Sequence, residues 1–192
     1  MPAGPTKDDL RRAALIRRDA VSGDARAAAA EAVAVRPFPV SVTAGLVVAG
    51  YYPIRSEFDP RPLMRRLARR GAKLALPRME RRGAPLVFHA WNERAALVAG
   101  PFGILEPAAD APVCGPDIVL VPLAAFDRAG HRLGYGAGFY DRTLLDARAH
   151  KSVTAIGLAF AAQEVETVLA GPHDERLDVI LTEREVIDLR TA

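Results

Sequence analysis

Residues 117–146 read DIVLVPLAAFDRAGHRLGYGAGFYDRTLLD, and the rest of the chain is organised around them. Ile118, Val119, Leu120 and Val121 make a short apolar run closed by Pro122, the pattern of a buried strand. After a polar bend, Gly134, Gly136 and Gly138 alternate with Tyr135 and Ala137, and a helical pattern opens at Phe139 and runs to 149. A backbone without Cβ atoms can curl its N–H groups towards an anion. A helix starting just beyond adds the positive end of its dipole at the same spot. Arg132, two residues before the first glycine, supplies a full charge. Together these features point to a phosphate site; the plainer alternative is a tight strand-to-helix turn with no ligand. The run is not the dinucleotide fingerprint, which ends in G-x-x-G, and it lacks the Gly-Lys-Ser/Thr of a Walker loop.

At 192 residues the chain is long enough to close one sizeable core, so one domain is expected over 1–192, with 1–5 a Pro/Gly tail. A formal charge of +3 and a sequence pI of about 9.3 are compatible with anionic ligands and equally with none. Nucleic-acid binding would call for clustered Lys/Arg interleaved with aromatics; here the arginines are scattered and aromatics are 6 %. Cys114 is the only cysteine, which excludes an intrachain disulfide and a Cys-based zinc site and fits a reducing compartment. No apolar run approaches the roughly 18 residues of a membrane span. Asp8, Asp9, Asp19 and Asp24 argue against a transit peptide. A cytoplasmic protein without membrane or nucleic-acid partner is the expectation.

Thr6 is a candidate N-cap for an amphipathic helix running to Val21, with Asp8 and Asp9 in its first turn and arginines on its wet side. Ser22-Gly23-Asp24 breaks it, and an alanine-rich helix covers 25–35. Residues 44–51 read as a strand apolar on both faces. Beyond its carboxyl end, where open α/β sheets hold ligands, lie Tyr52 and Glu57. On spacing alone Glu57 could equally be a first-turn acid of the helix through Leu63, Met64 and Leu67. Strands are expected over 73–76, stopping at Pro77, and over 86–90, the latter antiparallel, with Trp91 a core or edge aromatic. Residues 100–116 are too rich in Gly and Pro for regular structure. A strand over 153–160, a short helix over 163–170 ended by Gly171-Pro172, and a last strand over 179–181 complete the pattern. Strand–helix alternation predicts a three-layer α/β/α fold with a mostly parallel sheet.

The string Phe126-Asp127-Arg128-x-Gly130-x-Arg132-Leu133-Gly134-x-Gly136-x-Gly138-Phe139-Tyr140-Asp141-Arg142 resembles the signature of the 5-formyltetrahydrofolate cyclo-ligases, or methenyltetrahydrofolate synthetases. Lys7-x-x-Leu10-Arg11 is similar to the short basic motif near that family's start, although spacing alone would make these solvated charges. Gly103-Ile104-x-Glu106-Pro107 also resembles bacterial members, with the role of a covering loop. The resemblance implies a fold of the sugar-phosphate isomerase/CoA-transferase type. It further implies a monomer that uses ATP and Mg²⁺ to close 5-formyltetrahydrofolate to 5,10-methenyltetrahydrofolate. Lys7, Arg11, Arg132, Gly134, Tyr135, Gly136, Ala137, Gly138, Phe139 and Tyr140 would hold ATP. Tyr52, Glu57 and Tyr140 would hold the reduced folate, Arg132 and Tyr140 would assist catalysis, and Asp141 and Asp174 would hold the metal. Two positions depart from the pattern: Phe139 stands where many relatives have tyrosine, and Ala137 where glycine or lysine is common.

Overall fold

The computed structural model describes residues 5–190; the first four residues of the expected tail fall outside them. A sheet of seven strands runs in the order β11 (Val186–Asp188), β10 (Val179–Leu181), β9 (Thr154–Leu158), β6 (Ile118–Pro122), β1 (Val47–Ala49), β2 (Lys73–Arg78), β3 (Val87–Trp91). The five inner strands are parallel, and β3 and β11 pair antiparallel at the two edges. Strand pleating sorts the apolar side chains onto two faces. Val48, Leu74, Leu76, Ile118, Leu120, Ile156 and Leu158 share one core with α2 (Gly23–Val35) and α3 (Arg61–Arg69). Ala49, Ala75, Val119, Val121, Ala155 and Ile180 share the other with α4 (Phe139–His150) through Leu144. The three expected layers are therefore present.

Helix α1 (Lys7–Asp19) starts at Thr6 in a capping box with Asp9. It packs Leu10 and Ala14 on Ala125, Leu133, Val165 and Val168, which belong to or flank the small ribbon β7 (Ala125–Phe126) and β8 (Arg132–Leu133). Its position at one end of the sheet brings its cations to the glycine loop.

Several expectations are corrected. The strand expected over 44–51 is reduced to three paired residues. The strand expected to stop at Pro77 continues to Arg78; Pro77 has the β1-facing phase of Ala75 but lies beyond the end of β1, so its missing N–H costs no ladder bond. Residues 100–116 are not wholly irregular: a 3₁₀ turn at Pro101–Gly103 joins β4 (Leu97–Ala99) to β5 (Leu105–Pro107) in an antiparallel ribbon. The helix expected over 163–170 does not form beyond a 3₁₀ turn at Ala161–Gln163. Its amides are used elsewhere: Val165 N donates to Phe126 O at 2.9 Å and Val168 N to Asp127 Oδ2 at 2.9 Å. Strand β11 is not among the strands expected from sequence. The helix expected over 25–35 begins at Gly23, with the Ser22 side chain accepting from Ala25 N at 3.2 Å.

Candidate active site

The chain leaves β1 for β2 and β3 on one side and fills β6, β9 and β10 on the other, so the loops after β1 and β6 diverge at the carboxyl edge of the sheet. Ligands in open α/β sheets bind at such a switch point. A cavity of about 390 Å³ opens there, between Tyr51 and Tyr52 after β1, Pro77 of β2 and Pro122 of β6. Its size is within the range of small-molecule sites. Met79, Leu86, Phe102 and Ile104 give it an apolar end, and residues of the 101–106 segment line it.

The glycine loop forms one wall. Gly136 (φ +95°) and Gly138 (φ +65°) both take left-handed backbone, which only glycine adopts without strain. Gly138 is the N-cap of α4, and no side chain caps the first turn, leaving the helix amides on the loop side without a side-chain acceptor. Asp127 is a buried scaffold acid: Oδ1 accepts from Ala129 N and His131 N, both at 3.0 Å, and Oδ2 from Val168 N. It sets the bend that delivers Arg132.

Arg132 is 6 % exposed and donates from NH2 to Asp141 Oδ1 at 2.6 Å and from NH1 to Glu175 O. Burial pulls its pKa below the ordinary guanidinium value, opposed by Asp141 and Asp174. Lys7 Nζ reaches Asp174 Oδ2 at 2.6 Å, and Arg11 Nε reaches Gly134 O at 2.7 Å. Desolvation would raise the Asp174 pKa, yet Lys7 and the Gly171 amide hold it below the usual carboxylate value. Asp141 and Asp174, 33 positions apart in sequence, thus meet around Arg132.

Asp178 is structural: Oδ2 accepts from Ala155 N at 2.7 Å and from Arg148 NH2 at 2.8 Å. Among the described residues no group of three or more His, Cys, Asp or Glu gathers to hold a metal. Asp141 and Asp174 each keep one carboxylate oxygen that takes no hydrogen bond from the described residues. Mg²⁺ needs only one or two carboxylates beside phosphate oxygens and waters, so this donor set fits it.

Glu57 is 9 % exposed and closes its own turn: Ile54 N donates to Oε2 at 2.9 Å, and Glu57 N donates to Ile54 O at 3.0 Å. It is not a first-turn acid, since α3 starts at Arg61. Desolvation raises its pKa above the usual carboxylate value. Burial, with Glu57 close by, drives the Tyr140 hydroxyl well above its ordinary value, so it stays a neutral donor. Of the residues singled out from sequence, Tyr52, Glu57, Arg132, Gly134, Tyr135, Ala137, Gly138, Phe139, Tyr140 and Asp141 line the cavity. Lys7, Arg11, Gly136 and Asp174 do not; they cluster beside the glycine loop. Trp91 packs in the core of the sheet, away from the cavity, and His173 is exposed in a turn.

One residue contradicts its sequence reading. Arg18, placed on the wet side of α1, is 3 % exposed, because Ser56, Tyr135 and Asp19 all accept from its guanidinium. The signal was present: Lys7, Arg11, Ala14 and Arg18 recur every three or four residues and so share one helix face.

Fold and site define an α/β protein with a glycine loop at a helix N-terminus beside a largely apolar cavity at the sheet's switch point. The model of the 5-formyltetrahydrofolate cyclo-ligase family matches residues 3–183. The 5-formyltetrahydrofolate cyclo-ligase of Mycolicibacterium smegmatis is 36 % identical over 96 % of this chain and 98 % of its own length. That of Escherichia coli K12 is 34 % identical over 72 % and 79 %. The solved structure of Aquifex aeolicus 5,10-methenyltetrahydrofolate synthetase superposes with a TM-score of 0.78 at 30 % identity, covering 96 % of this chain and 93 % of that one. The synthetase from Mycoplasma pneumoniae shares the fold, with a TM-score of 0.70 at 22 % identity. The chain belongs to the 5-formyltetrahydrofolate cyclo-ligase family of enzymes.

Proposed function

We propose that this enzyme converts 5-formyltetrahydrofolate to 5,10-methenyltetrahydrofolate at the expense of ATP, releasing ADP and phosphate. The observation that carries the reading is the meeting of two unlike sites on one sheet edge: a glycine loop with a buried arginine, and a cavity holding a desolvated carboxylate. The first suits a triphosphate, the second a flat heterocycle with N–H donors on one edge.

The chemistry needs both. An N-formyl amide is a poor electrophile and its oxygen a poor leaving group. Transfer of the γ-phosphoryl group to that oxygen makes an iminium phosphate; N10 of the folate attacks the carbon, N10 loses its proton, and phosphate departs. A protein assists such a sequence by positioning and by neutralising charge. In this reading the loop amides and Arg132 face the triphosphate, and Lys7 and Arg11 close over it from α1. Glu57 accepts the paired N–H donors of the pterin edge, Tyr52 flanks it, and the neutral Tyr140 hydroxyl donates where the two substrates meet. Asp141 and Asp174 would hold Mg²⁺, which neutralises phosphate charge when bound. The substrates are water-soluble small molecules, and we assign the enzyme as a cytoplasmic monomer with neither nucleic-acid nor membrane partner; no described helix is long and apolar enough to cross a membrane.

Mixing the protein with MgATP and 5-formyltetrahydrofolate should raise the near-ultraviolet band of the methenyl product, and leaving out ATP should abolish it. A folded protein that yields no such band, or one that accumulates a stable phosphorylated folate, overturns the proposal.

A further inference from the structure

The mechanism above does not use Arg18, the most deeply buried cation among the described residues. A guanidinium at 3 % exposure is costly to bury unless its donors are used. Here Nε donates to Ser56 Oγ at 3.0 Å and NH1 to the Tyr135 hydroxyl, while NH2 lies 3.5 Å from Asp19 Oδ1. Ser56 Oγ donates in turn to Asp19. The guanidinium carbon also stands 5.7 Å from the centre of the Tyr135 ring. Three segments far apart in sequence therefore converge on one side chain: α1, the turn that carries Glu57, and the glycine loop.

Tyr135 is the link. Its hydroxyl accepts from Arg18 NH1, which leaves its own proton free to donate, and Tyr135 shares the cavity wall with the Glu57 carboxylate. Its ring remains partly exposed in the cavity wall. We infer that Arg18 is a positioning residue for Glu57, holding the turn that carries it through Ser56 and the facing cavity wall through the Tyr135 hydroxyl. The inference rests on the reading of Glu57 as the folate acceptor.

The electrostatics around Glu57 agree in sign. Desolvation pushes its pKa up, whereas the Ile54 amide, Tyr135, Arg18 and Arg55 pull it down. The other titratable groups facing it are the hydroxyls of Tyr51 from the loop after β1 and Tyr140 from α4. Both are driven upward by burial, so neither competes for charge. Removing Arg18 or the Tyr135 hydroxyl leaves desolvation less opposed, and the Glu57 pKa must rise further. Only the ionised carboxylate accepts two N–H donors at once, so folate affinity would then fail at a higher pH as the solution is acidified.

The test is a ¹³C titration of glutamate-labelled protein, with the Glu57 signal assigned by its loss in Glu57→Gln. Tyr135→Phe should titrate Glu57 about one pH unit above wild type, the scale of one lost charge or hydrogen-bond partner. Arg18→Met should shift it at least as far, and Arg18→Lys should recover part of the shift. The acid limb of 5-formyltetrahydrofolate affinity, measured by calorimetry, should move with it. An unmoved Glu57 titration in folded Tyr135→Phe overturns the inference, and that variant decides alone if Arg18→Met fails to fold. If the titration moves while folate affinity keeps its wild-type pH profile, the network stands and Glu57 is not the folate acceptor.

Discussion

Around the glycine loop the charges are matched to one another: Lys7 with Asp174, Arg132 with Asp141, Arg11 with Asp8. In the cavity, by contrast, Glu57 pairs with no cation among the described residues: its carboxylate takes the Ile54 amide, and the buried Arg18 is held by Ser56, Tyr135 and Asp19. Under the proposed function the first arrangement is preorganised for a polyanion: its cations are already fixed, so they need not reorganise when phosphate arrives. The second discriminates by hydrogen bonding, because a desolvated acceptor left unpaired is costly. Charge should therefore govern turnover at the loop, and geometry should govern affinity in the cavity.

The sharpest way to break this contrast is Arg132→Ala. It removes the buried cation from developing phosphoryl charge, worth about 3 kcal/mol or more, so turnover should fall by about a hundredfold or more. Circular dichroism would show whether the variant is folded, and wild-type-like turnover in a folded protein would end the phosphate assignment. Next in size is Glu57→Gln, which keeps the shape but exchanges an acceptor oxygen for a donor. Folate affinity should drop by about tenfold or more, as for hydrogen bonds to charged groups, with ATP affinity unchanged. Because the Glu57 pKa is raised, wild-type folate binding should weaken on acidification already above the usual carboxylate range; Gln, which does not titrate, should lose that limb. Equal losses for both ligands in calorimetry would erase the distinction between the two regions.

Asp174→Asn should have a smaller and more specific effect. It should raise the magnesium concentration for half-maximal activity several-fold, about the loss of one carboxylate donor, and leave folate affinity intact. Its control is Asp178→Asn, which touches Arg148 and the Ala155 amide rather than the loop. That variant should keep its metal dependence and lose about 1 kcal/mol of stability in denaturant titrations. A metal defect in Asp178→Asn alone would move the second carboxylate. The smallest effect belongs to Lys7→Ala, since the Lys7–Asp174 pair is partly solvated, with side-chain exposures of 41 % and 28 %. Stability should change by less than about 1 kcal/mol. The rise in apparent KM for ATP should be a few-fold and should shrink at high salt, where a half-exposed cation is screened.

The glycine loop was legible because its chemistry is local: φ values near +65° and +95° demand glycine, and strand, loop and helix follow one another in sequence. The sheet interior was legible for a similar reason, since strands buried on both faces must be apolar throughout. The 163–170 segment misled because Gln163 and Val165 satisfy the carbonyls of Leu123, Ala124 and Phe126, and Val168 satisfies Asp127, rather than one another. Arg18 misled because an arginine on an amphipathic helix is ordinarily solvated, and only Ser56, Asp19 and Tyr135 make its burial affordable.

Sequence by itself determined the alternation of strands and helices, the loop that can cradle an anion, and the family, because these reside in short contiguous patterns. Tertiary structure alone decided that β1 and β6 are neighbours, and hence that Tyr52 and Glu57 face the glycine loop across one cavity. It also decided that Asp141 and Asp174 meet around Arg132, and that Arg18 reaches both Tyr135 and the Ser56 beside Glu57. Each of these couples side chains tens of residues apart. Local propensity carries no information about such pairs; they are fixed only when sheet order and burial bring the backbone segments together.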